Sequence, residues 1–228
     1  MDILYYLLLL MIIFSFVVQF KVSSTFKKYS HLSVGRGRTA DEVARRILDA
    51  HGLYSVRIER TRGHLTDHYD PRARALRLSE GVFGSSSASA VGVAAHEALH
   101  AVQHAESYAP IVIRGKLVPA VNFASRFSFI AILLGILISA GSVVIGEYFL
   151  LVGIVLFGVT TLFHLVTLPC ETNASRRALS ELEIIGGYTK EELYGAKKVL
   201  SAAALTYFTA FFISLLQLLR YIRIFKNR

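Results

Sequence analysis

The sequence predicts a mainly α-helical membrane protein with about four transmembrane helices and one small α+β domain. Two observations carry this expectation. The first is a set of four charge-free apolar runs, at residues 3–20, 127–146, 148–170 and 199–219, which are 18, 20, 23 and 21 residues long. A helix rises about 1.5 Å per residue, so roughly 20 residues cross a hydrocarbon core of about 30 Å. The second is composition: 54% of the 228 residues are hydrophobic and the mean hydropathy is +0.50, more apolar than a soluble domain of this size.

The elements follow in chain order. The first run lacks a basic segment before it, since only Met1 and Asp2 precede it, and no small-residue cleavage site follows Phe20. It reads as an uncleaved anchor rather than a signal peptide. Residues 21–126 carry 16 Lys/Arg against 9 Asp/Glu and are enough for a small domain. Gly35-Arg36-Gly37-Arg38 reads as a linker. Thr39 with Glu42 three residues on has capping-box spacing, Val43, Ile47 and Leu48 form a helical stripe, and Gly52 follows the end. Residues 54–59 alternate as a strand would, residues 75–78 suggest a second strand, and Tyr69-Asp70-Pro71 signals a turn before it. A further helix, rich in Ala and Val, is expected over 87–106, with Gly92 its only glycine.

The next two runs are bounded by Arg126, Glu147 and Glu171, and the last, richer in Ser and Ala, by Lys198 and Arg220. For each run the competing reading is a buried core helix. Between them residues 171–198 are charge-balanced. Four spans would put residues 21–126 and 171–198 on the same membrane face, so that both can contribute to one site. Cys170 is the single cysteine, which excludes an intrachain disulfide and agrees with a reducing compartment.

Within the expected 87–106 helix stands His96-Glu97-Ala98-Leu99-His100. Spacing i, i+4 puts both imidazoles on one face about one turn apart, where both can reach one zinc ion at about 2.0–2.1 Å. Glu97 lies on the same turn and could act as general base toward water without being a ligand. Two histidines and a carboxylate in an apolar helix are costly unless something satisfies them, which argues against coincidence. A catalytic zinc needs a third protein ligand. His104 continues the run, but helix rise separates it from His96 by about 12 Å, so it reads as a helix-surface or supporting residue. The metzincin pattern fails, because Gln103 and Glu106 stand where it requires Gly and His. The favoured third ligand is Glu171, at the membrane edge of the third run, on the face shared with residues 21–126. A fresh helix is expected to follow Pro169. An interfacial carboxylate at a helix start is also favourable by itself, which is the competing reading. Ser175, one turn on, could orient a liganding histidine.

The Asp67-His68-Tyr69-Asp70-Pro71 cluster reads as a turn by composition. Alternatively His68 or Tyr69 could stabilise an oxyanion, a role for which Arg176 and Arg177 compete. The net charge of +9 is spread without an aromatic platform, so it fits anionic lipid rather than nucleic acid, with Lys21, Lys27 and Lys28 beside the first run.

Four segments together are similar to the YugP-type neutral zinc metallopeptidases of bacterial membranes: Leu65-Thr66-Asp67-His68-Tyr69-Asp70-Pro71-Arg72, Leu76-Arg77-Leu78-Ser79, Ala94 to His104, and Leu168 to Ala178. The resemblance covers nearly the whole chain and is much more specific than the His-Glu-x-x-His motif alone. It implies a gluzincin-type site with Zn2+ held by His96, His100 and Glu171 and with Glu97 as base. It also implies a zincin-like catalytic domain. Ser175 departs from the Asp of the wider HtpX-type membrane gluzincins, and Leu99 stands where Gly is frequent. The resulting expectation has five parts: an anchor at 1–20, a catalytic domain at 21–126, two spans at 127–170, a third-ligand helical segment at 171–198, and a C-terminal transmembrane or interfacial helix with a basic tail at 199–228. The expected activity is endoproteolysis of membrane or membrane-adjacent proteins in a multi-pass cell-membrane protein whose catalytic face is cytoplasmic. An inactive peptidase-like chaperone or scaffold, and a zinc hydrolase of a non-peptide amide, are the alternatives.

Overall fold

A computed structural model describes residues 3–227. The side chain of Arg36 lies outside the description, as do Met1, Asp2 and Arg228, on which parts of the anchor and basic-tail readings fall. Six helices and three strands occur in the order α1 (Ile3–Ser30), α2 (Ala40–Ala50), β1 (Arg57–Thr61), β2 (His68–Asp70), β3 (Ala75–Ser79), α3 (Ala88–Ala105), α4 (Ala109–Ile138), α5 (Val143–Ile185) and α6 (Lys190–Lys226). By length and composition α1, α4, α5 and α6 could each cross a membrane. The described chain forms two compact units. One comprises residues 3–17, Pro110–Pro169 and residues 207–227, and the other Val18–Ala109 and Cys170–Thr206.

The second unit is the α+β body. The Glu42 carboxylate accepts from the Thr39 backbone N–H at 3.0 Å, as the capping spacing predicts, and α2 buries Val43, Ala44, Ile47 and Leu48. The sheet has the order β1-β3-β2, with β1 parallel and β2 antiparallel to β3. Leu76 and Leu78 of β3, Ala94, Ala98 and Leu99 of α3, Ala178 and Leu182 of α5 and Val199 of α6 share one core. Gly92 admits a close approach: a Cβ there would lie 3.1 Å from the Ala196 Cβ and 3.2 Å from its Cα. The Gly35–Arg38 linker contains a 3-10 turn, Gly35–Gly37, tied down by the buried Glu192, which accepts from the Gly35 N–H at 2.8 Å. Glu192 also caps α6 through the Thr189 N–H, at 2.8 Å.

The first unit contains a helical hairpin of α4 and the first part of α5. Its helices approach through glycines. A Cβ on Gly135 would meet the Leu150 backbone nitrogen at 2.6 Å, and one on Gly153 the Ile132 nitrogen at 2.8 Å. Small residues at a helix crossing let backbones pack closely where lipid removes the hydrophobic drive for association.

Several boundaries differ from the sequence expectation. The first strand lies at Arg57–Thr61 rather than 54–59, because β3 sets the ladder register; Tyr54 is exposed and Val56 is buried outside the ladder. The Asp67–Pro71 cluster is part strand and part turn. Asp67 Oδ1 accepts from the Ser79 N–H at 2.7 Å and joins β3, whereas Asp70 Oδ1 accepts from Arg72 and Ala73 and makes the turn. Helix α4 ends at Ile138, not near Gly146, and Glu147 lies inside α5. The turn is the uncharged Ser139-Ala140-Gly141-Ser142, where the Ser142 carbonyl accepts the Gly146 N–H and opens the next helix. No fresh helix starts after Pro169, since α5 runs through it. Proline removes one helical N–H, a local loss that a long helix tolerates. The break falls instead at Gly186 and Gly187, whose φ values of 68° and 83° suit glycine. Residues 171–198 are therefore the end of α5 and the start of α6.

Candidate metal centre

His96 and His100 stand one turn apart on α3 with their ring centroids 4.7 Å apart, nearly perpendicular at 85°. Helix α5 lies against this face and brings in Glu171, which is 2% exposed. Its Oε2 is 3.1 Å from His96 Nε2 and 3.4 Å from His100 Nε2. Ligand atoms of the three residues all lie within 4.8 Å of one another. Tetrahedral zinc with bonds of about 2.0–2.1 Å sets its ligand atoms roughly 3.3 Å apart, so the spacing suits that ion.

Protonation chemistry gives a separate test of fit. The buried Gln103 donates its amide Nε2 to the Cys170 carbonyl at 3.0 Å and to Asn173 Oδ1 at 2.9 Å. A backbone carbonyl can only accept, so the amide nitrogen must lie on that side and its oxygen on the other. That oxygen, Oε1, is 2.9 Å from His100 Nδ1, which must then donate. In the neutral ring, Nε2 is left as an acceptor facing a carboxylate. Two acceptors at this distance need a cation between them, either a proton or a metal ion. Burial by itself would lower the His100 pKa. The hydrogen bond and charge of Glu171, with the charge of Glu97, outweigh burial and hold it above the ordinary histidine value. The residues fit a zinc ion.

Ser175, on α5 one turn beyond Glu171, has its hydroxyl 3.1 Å from His96 Nδ1. Glu97 is half-buried and its carboxylate makes no hydrogen bond among the described residues. The structure thus brings together His96, His100, Glu171 and Ser175. His104 is half-buried and turned to another neighbour, with its ring 5.7 Å from that of Tyr69. Of the four possible oxyanion contacts, His68 is exposed with Nδ1 2.8 Å from the Thr66 carbonyl, Arg176 is exposed, and Arg177 is bidentate on Glu106 at 2.6 and 2.8 Å. Tyr69 is half-buried, and burial, its largest influence, raises its pKa, so the phenol keeps its proton at neutral pH. In the sequence, Gln103 carries no functional expectation beyond its conflict with the metzincin pattern. Its spacing of three from His100 was the available signal, since i, i+3 residues share a helix face.

A mainly helical chain with four long apolar helices and a two-His, one-Glu cluster, of which His100 and Glu171 are buried and His96 partly so, has the outline of a membrane metallohydrolase. The chain belongs to the family described as "Putative neutral zinc metallopeptidase", which it matches over residues 4–226. It is 50% identical, over 213 residues, to "Putative membrane protease YugP" of Bacillus subtilis (strain 168), with 93% of this chain and 92% of the relative covered. No solved structure matches it.

Proposed function

We propose that this chain is a membrane-embedded zinc metalloendopeptidase that hydrolyses peptide bonds of membrane or membrane-adjacent proteins. The observation that carries the reading is the meeting of His96 and His100 with the buried Glu171 at zinc-compatible spacing, and family membership supports it. The α3 motif helix lies over a three-stranded sheet, which supports a zincin-like, gluzincin-type catalytic domain.

His96, His100 and Glu171 would hold the ion. When bound, zinc supplies Lewis acidity that polarises a carbonyl and acidifies water. The Glu97 carboxylate, adjacent to His96, takes a proton from the attacking water and returns it to the amide nitrogen as the C–N bond breaks. Ser175 orients the His96 ring through Nδ1. Tyr69, half-buried with its ring beside His104 of α3, is the proposed oxyanion contact; the Arg177 guanidinium is bound by Glu106, His68 is paired with the Thr66 carbonyl, and Arg176 is exposed. The protein would be multi-pass, with its catalytic face cytoplasmic.

Metal analysis of purified protein tests the ligand set. One zinc per chain is expected for the wild type, with loss in His96→Ala, His100→Ala and Glu171→Ala. Undiminished zinc in Glu171→Ala would mean a different third ligand. Glu97→Gln is expected to keep its zinc and lose about 10²–10⁴-fold in hydrolysis. Substrates would be sought as proteins that accumulate in membranes containing Glu97→Gln but not in those containing the wild type. Full activity in that variant would remove Glu97 from the mechanism.

A further inference from the structure

We infer that Gln103 is the positioning residue that presents both helices of the metal site to the ion. The inference rests on the zinc reading above. Gln103 is fully buried, and a buried amide is costly unless its polar atoms are used. Here three hydrogen bonds use them, and each bears on the cluster. Oε1 accepts from His100 Nδ1, which leaves Nε2 as the nitrogen aimed at the ion. Nε2 donates to the Cys170 carbonyl and to Asn173 Oδ1, the residues flanking Glu171 on α5 at positions −1 and +2.

One side chain therefore does two things. It selects the tautomer of a ligand on α3, and it holds the ligand-bearing stretch of α5 in register with that ligand. The second function is not available to a residue that only supports an imidazole. Glutamate would serve as acceptor for His100 but could not donate to the Cys170 carbonyl or Asn173 Oδ1. Leucine would fill similar volume and do neither. Ser175 plays the corresponding part for His96 from the α5 side, so each histidine is steadied through Nδ1 while both Nε2 atoms face Glu171.

The test is metal binding by the full-length protein in detergent, without reference to activity. Zinc affinity would be measured by competition with a chelator, and site geometry by the visible absorption of the Co2+-loaded protein. Gln103→Leu is expected to weaken zinc binding by about 10–100-fold and to alter the Co2+ spectrum. Gln103→Glu is expected to fall between leucine and wild type, because it keeps the His100 bond and loses the two to α5. Asn173→Ala, a milder change at a half-buried position, removes a single bond and covers the case in which Gln103→Leu does not fold. It is expected to weaken zinc binding measurably with unchanged zinc-free melting temperature. Zinc affinity and Co2+ spectra equal to wild type in Gln103→Glu and Asn173→Ala would overturn the inference. A wild type that binds no zinc would instead overturn the proposed function, and the two failures are distinguishable because the wild type is measured first.

Discussion

At the residue scale the Glu106–Arg177 pair links the C-terminal end of α3 to α5 a few residues beyond the candidate ligands. The hydrogen bond from Arg177, with its charge, holds the Glu106 carboxyl below its ordinary value, against a smaller opposing effect of burial. A group whose folded pKa is depressed contributes stability that is present above its unfolded value, near 4.5, and lost as pH falls through the folded value. The Glu106 side chain is 47% exposed, so solvent and salt screen the pair and the contribution is under about 1 kcal/mol. Glu106→Gln should therefore lower the melting temperature slightly at pH 7, and the difference should shrink as pH falls below 4.5. Melting curves against pH in detergent check this; a difference that widened with acid would contradict it. Tyr69→Phe tests the oxyanion assignment. It should reduce turnover by about 10²-fold and leave zinc content unchanged. Equal turnover would return the role to another donor.

At the scale of elements the α4–α5 hairpin depends on backbone contact at Gly135, Gly146 and Gly153. An added methyl at Gly135 has no room beside Leu150, whereas one at Gly158, on the same hairpin, meets nothing within 4 Å. Gly135→Ala should destabilise the protein by about 1–3 kcal/mol, the usual cost of overpacking, and Gly158→Ala should be close to neutral. Detergent-titrated unfolding of both variants decides it, and equal behaviour would mean that the hairpin can separate without loss. The sequence expectation sets the turn of this hairpin at the charged Glu147, and the structure sets it earlier. The small residues Ser139 to Ser142 end α4 without any charge, and Glu147 sits in the first turns of α5. Pro169 misled similarly, because a long helix tolerates the one N–H that proline lacks.

At the scale of the whole molecule the distribution of basic residues bears on sidedness. Lys21, Lys27, Lys28, Arg176, Arg177, Lys197 and Lys198 all belong to the α+β unit, and by the positive-inside rule they favour the proposed cytoplasmic face for it. Arg220, Arg223 and Lys226 near the end of α6 pull the other way if α6 spans. Cys170 is fully buried, and a Cys170→Ser background removes it from the experiment. In intact cells, cysteine at the exposed position 80, introduced as Glu80→Cys, should resist an impermeant thiol reagent until lysis. Labelling of that position before lysis would place the catalytic face outside. Protection of an Asn227→Cys variant as well would favour a last helix that does not fully cross.

The apolar helices, the α2 cap, the motif helix with His96, Glu97 and His100, and the candidacy of Glu171 are all legible in the sequence. All but the last are local: apolar length, capping spacing and i, i+4 periodicity act within one segment and can be read there, whereas Glu171 is a candidate through the order of the spans, the need for a third ligand and the family resemblance. Long-range packing brings Glu171 to 3.1 and 3.4 Å from the two imidazoles, joins Gln103 to both helices of the cluster and pairs Arg177 with Glu106. It also decided the strand register and the α4–α5 turn. These outcomes depend on partners roughly 10 to 80 residues away in the chain, and a contact between distant segments is set by how whole elements pack, which no single segment encodes.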